Sequence, residues 1–287
     1  MPVTFALLAV SIAFVWLPTL RVGLKASVPW WVLAYAIAVV SGLHFGVLNG
    51  LAITGLVCLL AVCLVDARRA QWRFGWAVTW GVGLVALALA LHLVPGFHNA
   101  LLIDGEHTSA DAAPFTLYAN FDKGSVGLVL LALVVPRMRS LGELRAAAKV
   151  TLLFACGTAA TVVATAWAIG YVRPEVKAPA FTGVFLLVNL FFTCIAEEAF
   201  FRGLIQERLM LALSSRPSMV AVPVLVSAAL FGLAHVGSGP VFMALATMAG
   251  VGAAWVYAKT RRVESAVLVH FAVNATHFLF FTYPALK

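Results

Sequence analysis

The chain has 287 residues, 63% of them hydrophobic and 10% charged, with a net charge of +8 and a mean hydropathy of +1.03. Soluble domains carry roughly 25% charged residues, so this composition excludes a soluble enzyme and defines a polytopic membrane protein. The surplus of Lys and Arg is read as an orientation signal rather than a nucleic-acid footprint.

A membrane-spanning helix needs about 20 apolar residues. From the N-terminus, apolar runs fall at 3–20, 28–42, 43–65, 74–94, 124–136, 148–170, 181–201, 219–236, 240–258 and 265–283. The expectation is an all-α polytopic bundle of about 8–10 transmembrane helices. The runs 28–42 and 124–136 are short, and would be tilted, half-spanning or merged with neighbours. Nothing basic precedes the first run and no small-residue cleavage site follows it, so it reads as a retained helix. Cys58, Cys63, Cys156 and Cys194 fall inside apolar runs without a C-x-x-C pair. They read as small buried hydrophobes, with neither a disulfide nor a thiolate metal site expected.

The longest polar stretch, 95–123, holds Asp104, Glu106, His107, Asp111 and Asp122. It reads as an acidic outer loop within an N-terminal membrane region, 1–146, of unassigned role. Asp122, at the entry to the next run, is placed to cap a helix. His44, His92, His98 and His107 are scattered, with no partner at helical spacing. Segment 137–149 reads as a short amphipathic linker before a C-terminal core, 147–287. Placing the loops after the odd-numbered helices on one side gathers 15 of the 19 Lys and Arg there. These include Lys25, Arg68, Arg69, Arg73, Arg202 and Arg208, and they make that side cytoplasmic.

The last third carries polar groups that are costly in a bilayer and mark a functional site by default. Glu197-Glu198-x-x-x-Arg202 comes first. On a helix Glu198 and Arg202 share a face and suit an ion pair, while Glu197 is rotated by about 100°. A second acid left in an apolar setting suits a general base or acid. Next come Phe231-x-x-x-His235, before the Gly237–Pro240 turn, and His270-x-x-x-Asn274, with His277 two turns beyond His270 as a candidate partner. Each pattern alone also fits a structural role, as an ion pair, a rim histidine or interhelical glue. Together, in this order and on separate helices, they point to acid–base chemistry.

The three patterns resemble those of the type II CAAX prenyl endopeptidases and their prokaryotic relatives, the CAAX-protease and bacteriocin-processing (abortive-infection) family. Phe201-Arg202-Gly203 follows the acids as well, and the resemblance covers about 180–283. It implies an intramembrane endopeptidase. Glu197 would activate a water, Glu198 and Arg202 would brace it, and His235 would assist with the water or the leaving group. His270 and Asn274 would donate hydrogen bonds to the oxyanion. Phe231 would support the site. The implied substrate is a membrane-associated protein or peptide, prenylated or carrying a C-terminal sorting tag or a leader. The implied location is a prokaryotic inner membrane, with the lipid bilayer as partner and no nucleic acid.

Glu197, His235 and His270 are also valid zinc ligand types, and two His with one Glu is a known catalytic set. No His-Glu-x-x-His helix occurs, and the preferred reading has no cofactor. Two other classes compete. A transporter or proton pathway would spread its polar residues over many helices and show inverted repeats. A silent scaffold or immunity protein would tolerate loss of the motif residues. One geometric problem remains, because the layout puts Glu197 and His270 toward the cytoplasm and His235 near the outer face. They meet only if the 237–240 turn dips inward or the helix bearing Glu197 continues to about 213. A helix over 181–213 would be about 50 Å long and would put Glu197 near mid-membrane. Ala249-Gly250-Val251-Gly252 would let neighbouring helices approach closely.

Overall fold

A computed structural model describes residues 2–22, 26–67 and 75–287. The expectations placed on Lys25, Arg68, Arg69 and Arg73 lie outside the described residues. Ten helices follow one another among the described residues. They are α1 (Val3–Ala13), α2 (Trp30–His44), α3 (Gly50–Asp66), α4 (Gly75–Ala90) and α5 (Phe121–Leu133). Then come α6 (Leu141–Ala168), the long α7 (Thr182–Ala212), α8 (Ala221–Leu233), α9 (Pro240–Thr260) and α10 (Val263–Phe280). The protein is an all-α helical bundle, and α6, α7, α9 and α10 are long and apolar enough to cross a membrane.

Two small sheets interrupt the helices. Strands β1 (Thr19–Val22) and β2 (Ala26–Pro29) pair antiparallel. The acidic stretch is not a plain loop, since it contains β3 (Ala100–Glu106) and β4 (Phe115–Ala119), which pair. Segment 137–149 is not a separate linker either. Ser140 caps α6 by accepting from Glu143 N at 3.2 Å, so 141–149 forms the first turns of a 28-residue helix. Arg202 and Arg208 lie within α7, not in a cytoplasmic loop. None of the cysteines forms a disulfide, but Cys58 and Cys156 are exposed rather than buried.

The chain divides into two compact units. The first comprises residues 1–102, 118–135 and 191–200. Its centre is α5, which is buried over nearly its whole length and packs on α1, α3, α4 and the 195–198 turn. Its run Val126–Leu131 is apolar and buried on every side, as befits a helix inside a bundle. Its glycines let partners approach. A Cβ on Gly124 would lie 2.6 Å from the Phe192 ring, and one on Gly127 would lie 3.0 Å from Ala196 Cα.

The second unit comprises residues 103–117, 136–190 and 201–287. In it α6 packs on α9 and α10, and α9 packs on α8 and α10. The two glycines of α9 face different partners. A Cβ on Gly250 would lie 3.3 Å from Ala228 Cα of α8, and one on Gly252 would strike Thr158 of α6 at 2.1 Å. This is the close approach expected of small residues between membrane helices. At one end, Arg262 Nη2 donates to Glu143 Oε1 at 3.0 Å, so the basic residues preceding α6 and α10 share that end.

Candidate active site

α7 is continuous over 31 residues, close to the 181–213 expected. It is not uniform. Asn189–Cys194 and Ala199–Gln206 are π-helical and flank one α-helical turn, Ile195–Glu198. π-helical turns inside α-helices are rare and concentrate at functional sites. Glu197 and Glu198 sit on that turn, at the middle of the helix.

The first unit holds both glutamates. Glu198 is fully buried. Glu197 is not a lone acid, because Lys123 Nζ of α5 donates to its Oε1 at 2.7 Å. The side chains are 21% and 13% exposed, so this ion pair is largely shielded from solvent. Lys123 reaches Glu197 because it lies one turn before Gly127, whose missing side chain lets α5 approach Ala196. Asp122 helps to cap α5, its Oδ1 accepting from Lys123 N at 2.8 Å, and a second residue shares the work. Asn99 Oδ1 accepts from Phe121 N at 2.8 Å in that role. Asp122, 1% exposed, also accepts from Asn99 Nδ2 at 3.1 Å and pairs with His92 Nδ1 at 2.7 Å. His92 is therefore not a solitary histidine.

The second unit holds the remaining motif residues, arranged around Phe231. The Phe201 ring meets it edge-on at 5.3 Å, and the His270 ring does so at 5.3 Å and 90°. The His235 ring lies 4.8 Å away, and Arg202 Cζ stands 5.1 Å over the same face system as a cation–π contact. Arg202 is fully buried, and its Nη1 donates to Ser227 Oγ at 2.7 Å. Ser227 in turn donates to Phe201 O at 2.9 Å. Both imidazoles thus contact one ring, and the expected mismatch in depth between His235 and His270 does not arise. The reason is the shortness of α8, whose 13 residues span about 20 Å and leave His235 one turn from Phe231 at its end. A 3₁₀ turn over Val236–Ser238 and Gly239 at φ 92° then carry the chain to Pro240 at the head of α9.

His235 Nδ1 lies 2.8 Å from Phe231 O. A carbonyl only accepts, so Nδ1 carries the proton and Nε2 is the acceptor of the neutral ring. His270, 6% exposed, is held in the middle of α10. Asn274, one turn on, donates from Nδ2 to Asn189 Oδ1 at 3.3 Å, which orients its amide. His277 is not a partner of His270. Its Nε2 lies 3.2 Å from Thr282 O and its ring packs on Tyr283 at 4.8 Å.

The zinc alternative needs a converging donor set. His235 Nε2 has the chemistry of a ligand. Among the described residues, however, no three His, Cys, Asp or Glu side chains gather where they could hold an ion.

Together the long apolar helices and the buried ionisable groups define an integral membrane protein with the makings of acid–base chemistry. Residues 179–276 match the family described as Type II CAAX prenyl endopeptidase Rce1-like, which supports the resemblance to the CAAX protease family. At the level of the family the match supports an intramembrane endopeptidase. No curated protein and no solved structure matches the chain. Lys123, His92 and Asn99 lie outside the matched residues. Sequence reasoning passed over Lys123 and Ser227. The available signal for Lys123 was that it is the single cation on its helix, beside Asp122 and ahead of the apolar run Val126–Leu133.

Proposed function

We propose that the protein is an intramembrane glutamic endopeptidase in which Glu197 is the general base. The observation that carries this reading is the shielded Lys123–Glu197 pair. A carboxyl group must be ionised to act as a base, and a bonded ammonium stabilises that charge by a charge-assisted hydrogen bond. Glu197 takes a proton from water, and the resulting hydroxide attacks the peptide carbonyl. His270 and Asn274 donate to the oxyanion. His235 Nε2 accepts the proton that Glu197 took from water and passes it to the leaving amine, which restores the carboxylate. Glu198 and Arg202 brace the helix that carries the base, and the Ser227 and Phe231 contacts of Arg202 support that assignment. In this reading 147–287 is the protease core, with Lys123 supplied by the preceding 1–146 region.

The substrate class is a membrane-associated protein or peptide cut near its C-terminus or its leader, and the location is a prokaryotic inner membrane. The test is comparative membrane proteomics of cells making the wild-type protein or Glu197→Ala. An uncut C-terminal tail or leader that accumulates only with Glu197→Ala supports the reading. Undiminished cleavage by the purified variant overturns it.

A further inference from the structure

A groove of about 470 Å³ runs along the second unit between α6 and α10. Leu144 and Leu152 of α6 and Leu268, Phe271, Ala272 and Leu279 of α10 line it, and its remaining lining is apolar but for two threonines. Leu144, Leu152 and Leu268 are 42%, 65% and 43% exposed, so the groove opens outward along two membrane-spanning helices. Its lining on α10 runs from Leu268 to Phe280. That length is about 18 Å at 1.5 Å per residue, close to one leaflet of a hydrocarbon core about 30 Å thick.

One end of the groove is strongly basic. Arg145 and Lys149 directly follow the groove residues Leu144 and Ala148, lie one turn apart on one face of α6, and are exposed. Exposed Arg139 precedes α6, and Arg262 stands at the head of α10. The nearby carboxylates are already engaged. Glu143 is bonded by Arg262 Nη2 at 3.0 Å and Arg139 N at 2.8 Å, and Glu264 by Met138 N at 2.7 Å. Among the described residues Arg145 and Lys149 have no ion-pair partner. An outward apolar channel of leaflet depth, headed by two unengaged cations, complements one kind of molecule. We propose that it seats an acyl chain of an anionic phospholipid, with the headgroup phosphate held by Arg145 and Lys149. Basic pockets between membrane helices recognise such headgroups. A second groove, between Leu153–Val162 of α6 and Met248–Trp255 of α9, has no Lys or Arg in either stretch and provides a contrast.

The test uses the full chain, delipidated in detergent and titrated with phosphatidylglycerol or phosphatidylcholine, with retained lipid counted by native mass spectrometry. The wild-type protein is expected to retain phosphatidylglycerol about tenfold or more over phosphatidylcholine, and Arg145→Gln/Lys149→Gln to reduce this to parity. Ala148→Trp, which fills the groove, is expected to lose both lipids, whereas Leu153→Trp in the contrasting groove keeps the selectivity. Unfolding temperatures in lipid-free detergent identify any variant that fails to fold, and Leu152→Trp then replaces Ala148→Trp. Equal retention of the two lipids by the wild-type protein overturns the proposal, as does unchanged selectivity in the double variant. Competition by glycerol phosphate as strong as by the whole lipid would make this a phosphate site only. Displacement by a lipidated substrate peptide would assign the groove to substrate. Either result also overturns the proposal. None of these readouts depends on proteolysis.

Discussion

Lys123 Nζ lies 2.7 Å from Glu197 Oε1, joining residues 74 positions apart in the chain. It places an ammonium on the candidate base from a helix outside the matched protease domain. Replacing Lys123 by Met removes a shielded charge-assisted bond worth about 1.5–3 kcal/mol. The expected result is a fall in kcat of about tenfold or more, with KM little changed, and partial recovery in Lys123→Arg. A kcat equal to wild type in Lys123→Met would show that the ammonium has no part in the reaction. A loss confined to unfolding temperature would mark the pair as structural.

Gly127 is the second member of this arrangement, because a Cβ there would stand 3.0 Å from the Ala196 Cα and 3.1 Å from its N. Both atoms are backbone and cannot swing aside. Gly127→Val should therefore cost about 1–3 kcal/mol through overpacking and lower activity together with unfolding temperature. Gly157 on α6 has nothing within 4 Å of the same added atom. Gly157→Ala should be neutral or stabilising by about 0.4–1 kcal/mol. Thermal unfolding of the two variants in one detergent compares them directly.

Phe231 carries contacts to both imidazoles, to Phe201 and to Arg202. Phe231→Ala should destabilise the protein by about 3 kcal/mol or more. The sharper variant is Phe231→Leu, which preserves most of the volume but removes the ring faces that hold His235 and His270. It is expected to stay folded with kcat reduced about tenfold or more, a size typical of displaced acid–base groups. Full activity in Phe231→Leu would mean that ring contacts do not position the histidines.

Removal of metal provides a further check on the reaction type. With no gathered set of three donors among the described residues, cleavage is expected to survive exhaustive chelation, with metal analysis showing less than one ion per chain. Activity that disappears on chelation and returns with added zinc would require a different arrangement of Glu197, His235 and His270.

Much of this was legible in the sequence because it depends on spacing along one helix. Four residues set Phe231 beside His235, and the helix-favouring run after Arg202 carried α7 on to Ala212. The small residues of α9 identified close packing, and Gly250 and Gly252 show it on two sides. What stayed hidden depends on which helix faces which. Spacing does not reveal that Ser227 receives the Arg202 guanidinium or that Lys123 meets Glu197. The position of Asp122 suggested its capping bond to Lys123 N, but not that Asn99, 22 residues earlier than Phe121, shares the capping or that His92 pairs with Asp122. The β3–β4 pair was hidden because its short apolar runs, Ala100–Ile103 and Phe115–Ala119, are embedded in an otherwise polar stretch.

α5 also bears on how the protein is made. At 13 residues it is too short and too polar at its start, with Asp122 and Lys123 in its first turn, to be retained in a bilayer as an independent span. Part of the surface that buries it, residues 191–200, is synthesised about 60 residues later. During translation Lys123 must therefore wait, hydrated or provisionally paired, until Glu197 leaves the ribosome. The first unit is completed late, out of chain order, and a nascent chain stopped before residue 197 has an ammonium without its carboxylate.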